Sequence, residues 1–187
     1  MLLAGLALYG MAIGLMIRSE LGASPWDVLA QGVSRRSGLT FGLSTVVISA
    51  LVLLCWIPLR VRPGWGTVAN AVLVGVFADV TLGLVPPTGD WIQRAALLVG
   101  GVVLLSFATA VYLRPRFGPG PRDGLFTGLV RRTGLPVWTV RGSLEVTVLI
   151  VGWLLGGTVG IGTLVFAAAV GPLVQLFLRR LGVDVRH

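Results

Sequence analysis

"GASPWDVLAQGVSRRSGL" occupies residues 22–39, and "GPGPRDGLFTGLVRRTGL" occupies residues 118–135. At a shift of 96 residues the two phrases register without a gap: Gly22 falls on Gly118, Pro25 on Pro121, Asp27 on Asp123, Gly32 on Gly128, Arg35 and Arg36 on Arg131 and Arg132, and Gly38 on Gly134. The same shift works far from the phrases. It places Gly64, Gly66 and Thr67 of "GWGT" on Gly160, Gly162 and Thr163 of "GIGT", and it lays Gly5 on Gly101 and Arg18 on Arg114. The correspondence predicts two tandem copies of one unit, residues 1–85 and 95–181, with a linker at 86–94 and a tail at 182–187.

Composition says what kind of unit was copied. Of 187 residues, 55% are hydrophobic and 12% charged, against roughly 25% charged in soluble domains. Apolar runs at 1–17, 40–59, 66–85, 95–113, 136–156 and 161–178 each come near the roughly 20 residues a helix needs to cross the hydrocarbon layer. The chain therefore reads as all-α, a polytopic membrane helix bundle of about six transmembrane helices in two three-span repeats. An odd number of crossings per unit makes the second copy enter from the opposite face, so the repeats are expected to be inverted about an axis in the membrane plane. The first run has no positively charged leader and no small-residue cleavage site, which predicts a retained span rather than a removable signal peptide.

The net charge of +8 comes from arginine alone, since the sequence holds no lysine. The arginines mark the ends of apolar runs instead of forming one basic face, which predicts contact with the lipid bilayer and no nucleic-acid partner. Loops on the side of the N-terminus carry Arg60, Arg62, Arg114, Arg116, Arg122, Arg131, Arg132, Arg179, Arg180 and Arg186, against Arg18, Arg35, Arg36 and Arg94 on the other side. The positive-inside rule then puts both termini in the cytoplasm. Arg35 and Arg36 stand on the unfavourable side, which suggests a structural or binding role beyond topology, with inheritance from the duplication as the plainer account.

Each repeat carries a short segment after its first span. Ser24 reads as an N-cap, Pro25 and Pro121 fit the first helical position, and Asp27 and Asp123 fall in the first turn, where a carboxylate complements the helix dipole. Capping accounts for both aspartates, with substrate contact as the alternative. About 12 residues, or roughly 18 Å of helix, cannot cross a bilayer, so each segment is expected to be an amphipathic interfacial helix or a re-entrant one. Glycines such as Gly32 and Gly128 favour docking into the bundle, where small residues let backbones approach.

Ionisable groups inside spans are costly and tend to face the bundle interior. Asp79 lies deep in the third span and pairs under the shift with Gln175 in the sixth; Asp79 is read as a cation- or proton-coupling residue. Arg141 and Glu145 are four apart on one helix face, a spacing that suits a self-neutralising pair or a gate. Asn70 reads as a helix-to-helix hydrogen-bonding group. In "GWGT" and "GIGT", Thr67 and Thr163 can cap the span that follows, with Gly64, Gly66, Gly160 and Gly162 permitting the bend. Pro58 and Pro172 are possible hinges. Cys55 is the single cysteine and His187 the single histidine, so no metal site and no cofactor is expected. No paired nucleophile and base or phosphate-loop motif occurs, so no enzymatic activity is expected.

"LGASPWDVLAQGVSRRSGLTFG", "LLCWIPLRVRPGWGTVANAVLVG" and the matching phrases of the second half resemble the YczE branch of the bacterial YczE/YyaS/YitT membrane proteins, and the resemblance covers nearly the whole chain. It implies a multi-pass protein of the bacterial plasma (inner) membrane and carries over no catalytic or binding residues. One departure is the abrupt start, which has no basic leader before the first span. Together these features predict a small-solute or ion transporter whose site lies between the repeats, the solute being polar or anionic. The alternative is a non-transporting accessory or scaffold protein that positions a partner complex through its arginine-bearing surface.

Overall fold

A computed structural model describes residues 2–113 and 120–182. The described residues form eight helices and no strand: α1 (Leu2–Ser19), α2 (Pro25–Ser37), α3 (Phe41–Leu59), α4 (Trp65–Leu84), α5 (Trp91–Leu113), α6 (Pro121–Thr133), α7 (Val137–Leu154) and α8 (Ile161–Arg180). Six of them, all but α2 and α6, are long and apolar enough to cross a membrane. α5 begins at Trp91, so the connection between the halves is shorter than the expected linker at 86–94. Residues 183–187 of the expected tail, and Gly118, Arg114 and Arg116, lie outside the described residues.

The two short helices obey their end signals. At α2, Ser24 Oγ accepts from the Asp27 N–H at 3.3 Å, Pro25 opens the helix, and Gly38 closes it at φ +74° with its N–H on Ser34 O. α6 repeats the plan with Gly120, Pro121 and Gly134, the last at φ +71° with its N–H on Val130 O. Each left-handed C-cap suits glycine, which has no Cβ to clash there. At 13 residues apiece, both are about 20 Å long.

Close backbone approach holds the spans together. α1 lies between α4 and α5, with Gly10 and Gly14 against α4 and Gly5 against Tyr112 of α5; a Cβ on Gly10 would stand 2.6 Å from Val74 O. α3 and α4 meet at Gly42 and Gly75, where a Cβ on Gly75 would stand 2.5 Å from Gly42 O. Small residues give such helices their contact in lipid, where no hydrophobic force separates side chains from acyl tails. The 96-residue counterparts of this seam behave differently. α7 and α8 barely touch, Gly171 has nothing within 4 Å, and Trp138, the counterpart of Gly42, is 77% exposed. α7 rests on α2 instead, through Gly152 and Gly157 against Val28 and Leu29, and α8 rests on α5, with Phe107 and Phe177 edge to face at 5.5 Å.

The contrast between the two seams yields a paired test. Gly75→Ala should cost about 1–3 kcal/mol, the usual penalty for overpacking a tight contact. Gly171→Ala should stay within about 0.5 kcal/mol of the parent. Thermal denaturation in detergent micelles reads both, and equal losses would contradict a closed α3–α4 seam beside an open α7–α8 one.

Candidate functional site

α2 and α6 meet N-terminus to N-terminus in the middle of the bundle. Asp27, only 1% exposed, accepts from Arg122 Nη2 at 3.3 Å and from the Ser24 hydroxyl. The Arg122 guanidinium lies over the Trp26 ring at 5.3 Å, Trp26 meets Phe126 edge to face at 6.4 Å, and Arg141 lies over the Phe126 ring at 5.5 Å. Arg141 Nε donates to Glu145 Oε1 at 2.9 Å. A continuous chain of charge pairs and aromatic faces thus runs from α2 through α6 to α7. Cation–π contact suits such a place because a guanidinium is weakly hydrated and stacks flat on a ring.

A cavity of about 100 Å³ opens beside this chain, and all eight helices contribute to its wall. Its lining falls largely into partners under the 96-residue shift: Ser24 with Gly120, Pro25 with Pro121, Trp26 with Arg122, Thr45 with Arg141, Ser49 with Glu145, and Asn70 with Phe166. Tyr9, Val74, Tyr112, Asp123 and Phe126 complete it. The two halves of the chain differ in the chemistry they bring to the cavity. The first half supplies the neutral hydroxyls of Thr45 and Ser49 where the second supplies the Arg141–Glu145 ion pair. Arg141, which lines the cavity from α7, is 59% exposed at its side chain. Burial pushes the Asp123 carboxyl above the ordinary carboxylate range, against the opposing pull of Arg141, Arg122 and a hydrogen bond with Tyr112. The protonated form, which can donate, therefore gains weight there.

The residues singled out from sequence divide sharply. Asp27, Asp123, Arg141, Glu145, Pro25 and Pro121 come together at the cavity or on its supporting pair. Asp79 does not. Its Oδ1 accepts from the Gly42 N–H at 2.7 Å, so this carboxylate closes the N-terminus of α3, and Gln175 is exposed on α8 away from the cavity lining. The arginine pairs act on helix ends: Arg35 donates to Gly156 O and to Thr158 Oγ1, Arg131 to Leu59 O at 2.9 Å, and Arg132 to Pro58 O at 2.7 Å, while Arg36 is exposed. Thr67 and Thr163 accept from the amides of Gly64 and Gly160 at 3.2 and 3.5 Å, and Gly66 and Gly162 are buried, the Gly162 N–H donating to Leu21 O at 2.7 Å.

Arg122, counted from sequence as a loop arginine that marks topology, is a partner of buried Asp27 in the cavity wall. Tyr9, Trp26, Thr45, Ser49 and Tyr112 were not legible as site residues. Thr45 and Ser49 were within reach, since the 96-residue shift applied to Arg141 and Glu145 lands on them.

A family model described as a family of unknown function, DUF6198, matches residues 1–179. An "Uncharacterized protein" of Haemophilus influenzae is 41% identical over 95% of this chain and 81% of its own length. The "Uncharacterized membrane protein YczE" of Bacillus subtilis is 33% identical over 94% of this chain and 82% of its own length, and the "Uncharacterized protein YyaS" of the same species is 32% identical over 93% and 89%. No solved structure matches the chain.

The buried pair gives the site its own test. Asp27→Asn or Arg122→Gln alone should destabilise by about 3–5 kcal/mol, because each leaves a charge without its partner in a poorly solvated place. The double substitution should cost less than the sum. A double-mutant cycle on melting midpoints measures the coupling, and strict additivity would show that the two side chains do not interact.

Proposed function

The chain belongs to the DUF6198 family and is a multi-pass membrane protein of the YczE type, and from that premise we propose that it is a small-solute transporter whose site is the cavity between its two halves. The observation that carries the proposal is the lining itself: a partly polar cavity walled by all eight helices, to which both halves contribute residues at positions 96 apart. Binding between repeats near the bilayer midplane, beside interrupted helices, is the general arrangement of carriers that alternate access between two faces.

Three further observations support an inverted pair of repeats. Contacts exchange between the halves: Arg35 of the first bonds Gly156 O of the second, and Arg131 of the second bonds Arg60 O of the first at 3.4 Å, each pair of positions being 96 apart. A twofold operation produces such an exchange, whereas simple translation does not. The N-termini of α2 and α6 also meet although the spans before them, α1 and α5, cross in opposite senses, which supports re-entrant segments that dip in from both faces. Finally, the α3–α4 seam is closed and the α7–α8 seam open, and alternating access in an inverted pair calls for unequal halves of this kind. The uneven distribution of arginine supports a plasma-membrane orientation with both termini in the cytoplasm.

Flux tests the proposal. Purified protein in liposomes should show saturable uptake for at least one member of a panel of small polar solutes, and Glu145→Gln should reduce it at least ten-fold. Folded protein that moves no solute across a broad panel would refute transport. Orientation is tested separately with single cysteines at Ser37 and Thr133, exposed positions 96 apart, in a Cys55→Ser background. Membrane-impermeant reagent should reach the two from opposite faces, and labelling from one face would refute inversion.

A further inference from the structure

A buried donor beside the cavity has no acceptor. Trp26 is 6% exposed, and its indole Nε1 has no hydrogen-bond partner among the described residues, on a side chain that lines the cavity. Native proteins rarely leave such a group unmatched unless a water, ion or ligand completes it. Two helix ends point to the same space. α2 and α6 open with Pro25 and Pro121, both in the cavity wall, so the next amides, those of Trp26 and Arg122, belong to the set that no helix satisfies internally. The positive ends of both dipoles converge there.

Asp123 is the one carboxyl of the lining without a guanidinium of its own, and once it is protonated the charges leave room for a negative guest. Arg122 is matched by Asp27 and Arg141 by Glu145, and five N–H groups on each guanidinium provide donors beyond those bonds. We infer that the cavity binds a small monovalent anion, a short carboxylate or an inorganic ion of similar size, gripped by the Trp26 indole N–H, the Arg122 and Arg141 guanidiniums and the first amides of α2 and α6. The inference names the solute class for the transport reading above and rests on that reading for its purpose. A volume of about 100 Å³ admits an ion of a few heavy atoms.

Proton linkage follows from the neighbours of Asp123. Arg122 on its own helix, Arg141 and Glu145 from α7, Tyr112 from α5, Tyr9 from α1 and Asp27 from α2 make up its charged and titratable surroundings. Burial already raises this carboxyl, and an anion beside it raises it further by like-charge repulsion. Binding therefore takes up a proton, and affinity falls as pH rises.

Isothermal titration of the full chain in detergent, with gluconate as the background anion, tests this with sodium formate, nitrate and chloride. Saturable binding of at least one is expected, weakened at least ten-fold by Trp26→Phe, which keeps the ring and removes the donor, and by Arg141→Gln. Melting midpoints establish that both variants are folded. Asp123→Asn should bind with an affinity that no longer changes with pH. No binding of any of the three ions, or wild-type affinity in both Trp26→Phe and Arg141→Gln, would overturn the inference. Anion binding without flux would sink transport and leave this site standing, whereas flux of neutral or cationic solutes without anion binding would do the reverse.

Discussion

A backbone amide or carbonyl exposed to hydrocarbon has no water to turn to, and every helix end inside this bundle must find its partner in the chain. The structure meets this demand with side chains from distant positions. Arg35 and Arg131 close the ends of α7 and α3, Arg18 donates to Leu82 O at the end of α4, Arg94 Nε donates to Ser19 O at 2.7 Å, and Asp79 takes the Gly42 amide at the start of α3. The short helices close their ends locally, with Ser24 and the Gly38 N–H at α2 and the Gly134 N–H at α6. A 13-residue helix set among spans has two ends to satisfy and little length over which to recover the cost.

This constraint explains why so many of the arginines do not behave as mere topology markers. An arginine at a helix C-terminus complements the negative end of the dipole and supplies several donors at once. It also gives Arg35 a role that does not depend on topology. The carbonyl of Gly156 needs a donor whichever side of the membrane it occupies.

The meeting of α2 and α6 is the part of the fold that creates chemistry. Two positive helix ends facing one another would repel, and the Asp27 carboxylate between them, bound to Arg122 and Ser24, offsets that repulsion. The arrangement leaves a cavity rich in donors, asymmetric because one wall carries hydroxyls and the other an ion pair. The asymmetry shows in the partners: Thr45 answers its own helix, with its Oγ1 on Phe41 O at 3.1 Å, while Arg141 and Glu145 answer each other.

The sequence by itself determined the six apolar helices, the two short ones with their caps, and the correspondence at 96 residues, because hydropathy, N-cap and C-cap chemistry and a gapless repeat are all local or one-dimensional signals. It also presented Arg141 and Glu145 as a pair, since i and i+4 share a face of any helix. Only the tertiary structure decided which helix end each arginine closes, that Asp79 serves α3 while Gln175 stands apart, and that Arg122 leaves the loops to join Asp27. Those choices depend on which elements lie side by side across separations such as the 95 residues between Asp27 and Arg122. No periodicity along the chain encodes them, because the partner of a buried polar group is fixed by packing in three dimensions.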